Sequence, residues 1–378
     1  MHKKEIFMFS VRGFSKLMLV YLFWIASWVL AGSLFEVYFY GLGLTMQEIV
    51  ATSFFWFIGS LLVMPLFKKI DSKKFMIIGI LLSMLGAVVL YFFDFKEMGY
   101  IYKFLVSVPQ FFFWIPFNVI FYEFKKDNAA QLGAIYYSVT PFLSLILPGF
   151  GGAIAATLGY GSLFIMAIVC YLITLVLAVF LLDNKIYKYD TAQSIKSISG
   201  LKTLVFLEGF AAAMIVQVFL ETMLLKYADK PLEYGGFISL VTLFAIIASL
   251  LTARFSDVQK RRREFIILSA MAFGAAAILT SFSTDIAHFF VGFAMINFFR
   301  TIFFPLPLAV IVDNSKNLVE TMVGREFMLN VGRIFGSVVA FVLMFYFDIS
   351  FVLLLFGTIM MVGYPLAFEL KKRKLGKI

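Results

Sequence analysis

Charged and amide side chains occur inside otherwise apolar segments of the chain, and Arg300 is the deepest of them. Asn297 and Arg300 are three residues apart, so they lie on one face of a helix. A guanidinium offers paired donors that hold a carboxylate or a phosphate. The alternative is a structural role, in which Arg300 pairs with an acid of the protein or donates to helix carbonyls. Asn330 and Arg333, in a later segment, are expected to anchor the helices rather than bind a ligand.

Another apolar segment carries polar and aromatic residues at helical spacing. Gln110, Trp114 and Asn118 follow one another at intervals of four, which places them in one stripe along a helix. A stripe of this kind forms either the wall of a polar cavity or an ordinary packing surface. The sequence leaves both interpretations open.

Three glutamates inside apolar segments are candidates for proton coupling. Trp28 and Glu36 share a helical face in the first half of the chain, and Gln217 and Glu221 are one turn apart in the second. A desolvated carboxyl group can take up a proton, and one framed by tryptophan also suits a lipophilic cation. Alternatively, both acids lie in water at the membrane boundary. Glu208 is 13 residues from Glu221, and at about 100° of rotation per residue their side chains point about 220° apart around a helix, to different faces. Glu208 either packs between helices or faces the cavity as a partner for Arg300.

The sequence predicts neither an enzyme nor a bound metal or cofactor. His2 and His288 have no partner at metal-ligand spacing, and Cys170 is the only cysteine. The chain has no G-x-x-x-x-G-K-[ST] element to cradle the phosphates of ATP. It also has no recognisable set of nucleophile and base.

The composition indicates a polytopic membrane protein. Of 378 residues, 62% are hydrophobic and 14% are charged, whereas soluble domains are near 45–50% apolar and about 25% charged. Twelve apolar segments are each long enough to cross a membrane as a helix of about 20 residues. These predicted spans are residues 17–40, 47–67, 75–93, 100–122, 132–156, 161–182, 201–226, 235–253, 264–282, 286–312, 325–347 and 350–370. The predicted fold class is therefore an all-α membrane protein with twelve transmembrane helices.

One polar connection, residues 183–200, divides the predicted spans into six and six. We expect an N-terminal six-helix bundle at 1–182, a cytoplasmic linker at 183–200 and a C-terminal six-helix bundle at 201–378. Both halves have a short basic loop between their second and third spans, and each loop contains one aspartate, Asp71 or Asp257. Repetition of loop, span count and charge is typical of transporters built from internal repeats.

The distribution of basic residues predicts the orientation. The chain has 32 Lys and Arg and a net charge of +10. The segments on the outer side hold only four of these residues, which are Lys96, Lys103, Lys226 and Lys230. Because basic loops stay on the cytoplasmic side, both termini are predicted to be cytoplasmic and the protein to be multi-pass in the cytoplasmic (inner) membrane. Anionic lipid accounts for the positive charge, and no nucleic acid partner is expected.

These loops resemble the major facilitator superfamily (MFS), and the resemblance extends over essentially the whole chain. The loop signature of that family is roughly G-x-L-x-D-R-x-G-R-R. The second-half loop keeps the acid at Asp257 and the basic run that begins at Arg261. The first-half loop departs from it, with Lys68 where the acid is expected and Asp71 three residues later.

The fifth predicted span carries a second element of the resemblance. Its sequence Leu147-Pro148-Gly149-Phe150-Gly151-Gly152 is similar to the G-P-x-x-G-G element associated with the antiporters of the family. Close packing of helices explains the same small residues equally well. The resemblance implies two six-helix bundles that rock about a central site lined by spans 1, 4, 7 and 10. It also implies gating roles for Asp71, Asp257, Arg261, Pro148 and Gly149.

The function that follows from the resemblance is secondary active transport of a small molecule by alternating access. Proton-coupled export is the first hypothesis, supported by the fifth-span element and the carboxylates beside tryptophan. The alternatives are uptake of an anionic or zwitterionic metabolite held by Arg300, as symport or facilitated diffusion, and transport of an amphiphile or lipid. The expected partners are a small-molecule substrate, protons and membrane lipids, and the expected oligomeric state is a monomer.

Overall fold

The computed structural model describes residues 2–124, 129–255 and 262–375, and it is almost entirely helical. The elements of the first half and the linker are α1 (His2–Gly32), α2 (Phe35–Gly41), α3 (Met46–Val63), β1 (Lys69–Asp71), α4 (Ser72–Phe92), α5 (Met98–Glu123), α6 (Ala129–Leu181), β2 (Ile186–Lys188) and α7 (Thr191–Ser197). The second half consists of α8 (Lys202–Leu207), α9 (Leu220–Leu224), α10 (Pro231–Phe255), α11 (Arg262–Ser281), α12 (Ile286–Phe303), α13 (Pro305–Asp313), α14 (Leu318–Leu343), α15 (Ile349–Thr358) and α16 (Tyr364–Leu375). Two π-helical segments, Glu208–Ala213 and Ile215–Phe219, separate α8 from α9, and a third, Ile359–Gly363, separates α15 from α16.

Within the described ranges, eleven helical segments are long and apolar enough to cross a membrane. One of them, Ser138–Leu181, has 44 residues, about twice the length that one crossing needs. It is interrupted at Gly159, whose φ of 82° and ψ of 163° are not helical and favour glycine. Gly159 lies between the predicted spans 132–156 and 161–182. The predicted helical membrane fold is confirmed, while the count of twelve crossings and the cytoplasmic termini remain predictions.

The linker between the halves contacts both of them. Strand β2 pairs antiparallel with β1, with Asp71 opposite Ile186. Farther along, α7 packs against α14 so closely that a Cβ at Gly324 would lie 2.1 Å from the Ser194 carbonyl oxygen. We call the side of the molecule that carries β1, β2 and α7 the linker face. The sequence predicted this segment to be a connection only, since strand pairing across 115 or more residues leaves no local pattern.

The two halves pack against each other along two pairs of helices. The Ser53 hydroxyl of α3 donates to the Ser337 hydroxyl of α14 over 2.8 Å. In the second pair, α6 against α10, the Gly149 N–H donates to the Ser239 hydroxyl over 2.9 Å. A Cβ at Gly235 would lie only 2.1 Å from the Pro148 carbonyl oxygen. Small residues therefore allow both helix pairs to approach closely, as in other membrane bundles.

Candidate functional site

Two adjoining cavities lie between the halves. The first, of about 270 Å³, we call the linker-side chamber because Met64 lines it and the Tyr189 hydroxyl of the linker donates to the Met64 carbonyl over 2.7 Å. The second, of about 330 Å³, we call the central chamber; Glu36, Lys103 and Arg300 are among its lining residues. Residues that line both chambers form a partition between them, and these are Trp28, Trp56, Trp114, Val216, Gln217 and Phe304.

A buried ion pair lies on the first-half wall of the central chamber. The Lys103 ammonium is 2.9 Å from Glu36 Oε1, and the two residues are 4% and 3% exposed. The same ammonium lies 4.5 Å from the centroid of the Trp56 ring. The sequence-based assignment of Lys103 to an outer segment was wrong, as was the alternative that Glu36 lies in water. Each charge is withdrawn from water because the other compensates it.

Arg300 and Glu221 lie on the second-half wall of the same chamber. Neither side chain forms an ion pair at 4.0 Å or less with any described residue. Glu221 is close enough to interact electrostatically with Arg300 and to meet the carboxyl group of Glu36. The alternative that Arg300 serves as half of a close structural ion pair is therefore wrong. The chamber therefore presents the Arg300 guanidinium without a close ion-pair partner among the described residues, near the Glu221 carboxyl group, which meets that of Glu36.

Amide side chains also line the central chamber, together with Arg300 and Glu221. Asn297 is 1% exposed and donates from Nδ2 to the Phe293 carbonyl over 3.1 Å. Its Oδ1 and the Oε1 of Gln217 are buried and have no hydrogen-bond partner among the described residues. Buried polar atoms are almost always hydrogen-bonded, so these oxygens indicate a wall suited to a polar ligand.

The stripe Gln110, Trp114 and Asn118 of α5 lines the linker-side chamber. Asn118 is 6% exposed, and its Oδ1 has no hydrogen-bond partner among the described residues. Trp114 packs edge-on against Trp24, with ring centroids 4.9 Å apart, and also lines the central chamber. Of the two interpretations of this stripe, the structure therefore favours a cavity wall.

Glu208 is paired with a residue other than the expected one. Its Oε1 lies 2.5 Å from Nη2 of Arg325. The Nη1 group of the same arginine donates to Glu326 over 2.8 Å. The hypothesis that Glu208 is the partner of Arg300 was wrong, because Glu208 lines the linker-side chamber and Arg300 the central one.

The π-helical segments between Glu208 and Glu221 explain why both acids reach a cavity wall. Straight-helix geometry separates the two by about 220°. A π turn closes with an i→i+5 hydrogen bond and therefore contains more residues than an α turn. In the two π segments, successive side chains are therefore separated by a smaller angle about the helix axis than in an α-helix. Local α-helical arithmetic could not predict that change.

Several lining residues were missed or misassigned from the sequence. Lys103 had a usable signal, since it is a charge inside the predicted span 100–122. Arg325 and Arg333 are arginines in an apolar segment, which is the same signal. Trp56 had none, because nothing local distinguishes a cavity tryptophan from a packing one. Arg333 was expected only to anchor helices, but it lines the linker-side chamber.

The predicted gating residues lie outside the two chambers or outside the described residues. Asp71 caps α4 by accepting from the Lys74 N–H over 3.2 Å. Partial burial opposes ionisation of Asp71, but hydrogen bonds from Lys74 and Asn184 outweigh it and hold its pKa below the ordinary value. Pro148 and Gly149 belong to the contact between α6 and α10. Asp257 and Arg261 lie outside the described residues.

The chambers are suited to charged organic groups. Among the residues that the structure describes, no cluster of three or more His, Cys, Asp or Glu is arranged to hold a metal ion. Guanidinium and carboxylate groups instead lie among indole and phenyl rings in the walls of both cavities, and the Lys103 ammonium group also lines the central chamber. Such walls bind charged groups by hydrogen-bonded pairing and an apolar body by burial.

Solved transporter structures share this fold. The E. coli fucose:proton symporter FucP superposes with a TM-score of 0.67 at 12% identity, over 95% of this chain and 98% of that one. A POT family transporter in complex with 5-aminolevulinic acid gives a TM-score of 0.73 at 12% identity, with 97% of each chain covered. The human organic anion transporter MFSD10 gives 0.63 at 12% identity, over 97% and 99%. Identities this low show a shared fold and leave the substrate undetermined.

Sequence comparison provides the family. No curated protein matches the chain significantly. The family model described as Major Facilitator Superfamily matches residues 17–200 and again residues 201–377. The resemblance seen in the sequence is therefore confirmed over nearly the whole chain, in a family of multi-pass membrane transporters. The protein belongs to the Major Facilitator Superfamily.

Proposed function

We propose that this MFS transporter exchanges protons for a small zwitterion with an apolar body, by alternating access. The observation that carries the proposal is that a guanidinium and a carboxyl group, Arg300 and Glu221, lie near each other on one wall of the central chamber. Neither forms an ion pair at 4.0 Å or less with a described residue. A ligand with a carboxylate and an ammonium group complements both at once.

The rest of the central chamber supports this substrate class. Its volume of about 330 Å³ is in the range of small-molecule binding sites. The indole rings of the partition offer an apolar surface for the body of the ligand. The hypothesis of a lipophilic cation at Glu36 is less well supported, because the Lys103 ammonium already lies between that carboxylate and Trp56.

Proton exchange follows from the contact between Glu36 and Glu221. Two adjacent carboxyl groups in a desolvated site are not both ionised at low cost, so one of them retains a proton when no substrate is bound. An ammonium group that binds Glu221 requires that carboxyl group in its ionised form. Substrate and proton therefore compete for one site, and an inward proton gradient drives export. This mechanism agrees with the export hypothesis derived from the sequence, and it uses two of the three glutamates that were candidates for proton coupling there.

Three probes that differ by single charged groups test the substrate class. Phenylalanine carries both charges, 3-phenylpropanoate lacks the ammonium group, and 2-phenylethylamine lacks the carboxylate. In thermal-shift measurements phenylalanine should stabilise the protein most, by about 2.7 kcal/mol at a hundred times its dissociation constant. Arg300→Gln should weaken phenylalanine to the level of 2-phenylethylamine, and Glu221→Gln to the level of 3-phenylpropanoate. Equal effects of both variants on all three probes, or binding of none of them, would overturn the proposal.

The direction of coupling is tested in proteoliposomes loaded with radiolabelled phenylalanine. Efflux should accelerate when protons flow inward down an imposed pH gradient. Accelerated uptake under the same gradient would replace exchange by symport, which is the alternative derived from the sequence. A rate of phenylalanine efflux that does not depend on the pH gradient would rule out proton coupling. Lipid that co-purifies in a fixed ratio, with no response to the three probes, would favour amphiphile transport.

A further inference from the structure

We propose that the linker-side chamber is a second substrate site, in which Arg333 holds the carboxylate before it passes to Arg300. This inference rests on the proposed function, since it concerns the same zwitterion. It divides the path between the membrane centre and the linker face into two binding steps. The partition between the chambers is the barrier that the ligand crosses from one to the other.

The charges of the linker-side chamber leave one guanidinium available. Arg325 lies between two acids, donating to Glu208 and to Glu326. Arg333 forms no ion pair at 4.0 Å or less with any described residue. Arg325 is thus neutralised within the protein, whereas Arg333 interacts with Glu326 and Glu208 only from beyond ion-pair distance.

The hydrogen bonds of Arg333 point to the same conclusion. One Nη1 donor contacts Asn330 Oδ1 over 3.0 Å, and the guanidinium carbon lies 5.3 Å from the centroid of the Phe57 ring. Its Nε is buried and has no hydrogen-bond partner among the described residues. A buried donor without an acceptor is costly, and a carboxylate is the acceptor that matches a guanidinium in both charge and shape.

Asn330 holds this guanidinium in position. Its Oδ1 accepts from Arg333, and its Nδ2 donates to the Ser60 hydroxyl of α3 over 3.1 Å. Ser60 is itself held in place, because its N–H donates to the Ser107 hydroxyl over 3.0 Å. The carboxylate site is therefore built on a network that joins the two halves of the molecule.

Unsatisfied acceptors line the same chamber and fit the ammonium group of a zwitterion. Asn118 Oδ1 and Glu208 Oε2 are buried and have no hydrogen-bond partner among the described residues. The two residues are 6% and 1% exposed. Together with Arg333 they give the chamber donors and acceptors of the two kinds that Arg300 and Glu221 provide in the central chamber. Its volume of about 270 Å³ also suits a molecule of the same size.

The partition supplies a stepping point between the two sites. Gln217 lines both chambers, and its buried Oε1 has no partner among the described residues. The indole rings of Trp28, Trp56 and Trp114 line both chambers as well. An apolar body can slide across these rings while its polar end exchanges contacts at the Gln217 amide.

Isothermal titration of the purified protein with phenylalanine tests the second site through its stoichiometry. The wild type should bind two molecules per chain, and Arg333→Gln and Arg300→Gln should each bind one. The matched control is Arg263→Gln, which removes an arginine paired with Glu369 away from both chambers and should still bind two. Arg333→Lys keeps the charge but not the planar donors; it should bind the second molecule at least tenfold more weakly and should unfold at the wild-type temperature.

The outcomes separate this inference from the proposed function. One molecule bound by the wild type, lost in Arg300→Gln and unaffected in Arg333→Gln, would overturn the second site and leave the proposed function intact. No binding to the wild type would overturn both. Two molecules bound by Arg333→Gln would also contradict the inference, since the second site would then lie elsewhere.

Discussion

At the scale of single residues, the candidate site is built from charges that the protein buries at a cost. Glu36 and Lys103 are 67 positions apart in sequence, yet they form one ion pair beside the central chamber. Sequence patterns identified Glu36 as a candidate because an acid inside an apolar span is unusual. They could not identify its partner, because the partner depends on how α5 packs against the other helices of the first half and not on local spacing.

The ion pair predicts a large cost for removing one partner. Lys103→Met leaves Glu36 buried without a counter-charge and should lower the free energy of unfolding by about 3–5 kcal/mol. The double variant Glu36→Gln, Lys103→Met should recover most of that loss. Thermal or denaturant unfolding in detergent measures both. A double variant as unstable as Lys103→Met would show that the lysine is needed for packing rather than for charge.

A matched control for Lys103 lies at the linker face. Lys185 pairs with Glu123 at 2.8 Å, but its side chain is 48% exposed. Because water screens such a pair, Lys185→Met should cost at most about 1 kcal/mol. An equal loss of stability in the two lysine variants would contradict the importance of burial.

At the scale of elements, small residues decide how closely the two halves approach. The resemblance to an antiporter element led to the expectation that Pro148 and Gly149 have a gating role. In the structure these residues form the contact of α6 with α10, where Gly235 meets the Pro148 carbonyl. Their sequence indicated close packing, but the partner helix could not be read from it.

Two adjacent glycines of α10 test this contact. A Cβ at Gly235 would lie 2.1 Å from the Pro148 carbonyl oxygen, whereas a Cβ at Gly236 would have no heavy atom within 4 Å. Gly235→Ala should therefore separate the halves or strain them, at a cost of about 1–3 kcal/mol, and slow transport. Gly236→Ala should change stability by less than about 0.5 kcal/mol. Wild-type transport and stability in Gly235→Ala would contradict the packing account.

The cap of α4 gives a prediction for pH. The pKa of Asp71 is lower in the folded protein than its unfolded value of about 3.9, so its stabilising contribution is present above that value. The contribution is lost as the pH falls through the folded pKa. Asp71→Asn removes it, so the unfolding temperature of the variant should fall less than that of the wild type between about pH 5 and about pH 3. Parallel curves for the two proteins would contradict this role.

At the scale of the whole molecule, composition and repeats predict far more than local motifs do. The apolar segments, the polar linker and the repeated basic loops led to the family, which the match over both halves confirms. The residues that line the two chambers were predicted only in part. Spans 1, 4, 7 and 10 do line the chambers, but so do Trp56 of α3 and Arg333 of α14. These helices enter the wall because the halves meet along them, a relation between distant segments.

The arrangement of the chambers connects the three scales. Charged residues of both halves meet in cavities that no single half encloses, so movement of one half against the other changes both sites together. An ammonium group that binds Glu221 replaces the contact of this carboxyl group with Glu36 of the other half, and it therefore favours one arrangement of the halves over another. In the proposed mechanism, this is how a small ligand and a proton control a motion of the entire protein.

Proton release on ligand binding tests the central claim most directly. Phenylalanine is titrated into the purified protein at neutral pH in buffers of different ionisation enthalpy, and the protons released are obtained from the dependence of the heat on the buffer. We expect the release of about one proton as the ammonium group binds the Glu221 carboxylate, and of none in Glu221→Gln. Binding of phenylalanine without proton release by the wild type, or equal release by Glu221→Gln, would contradict it.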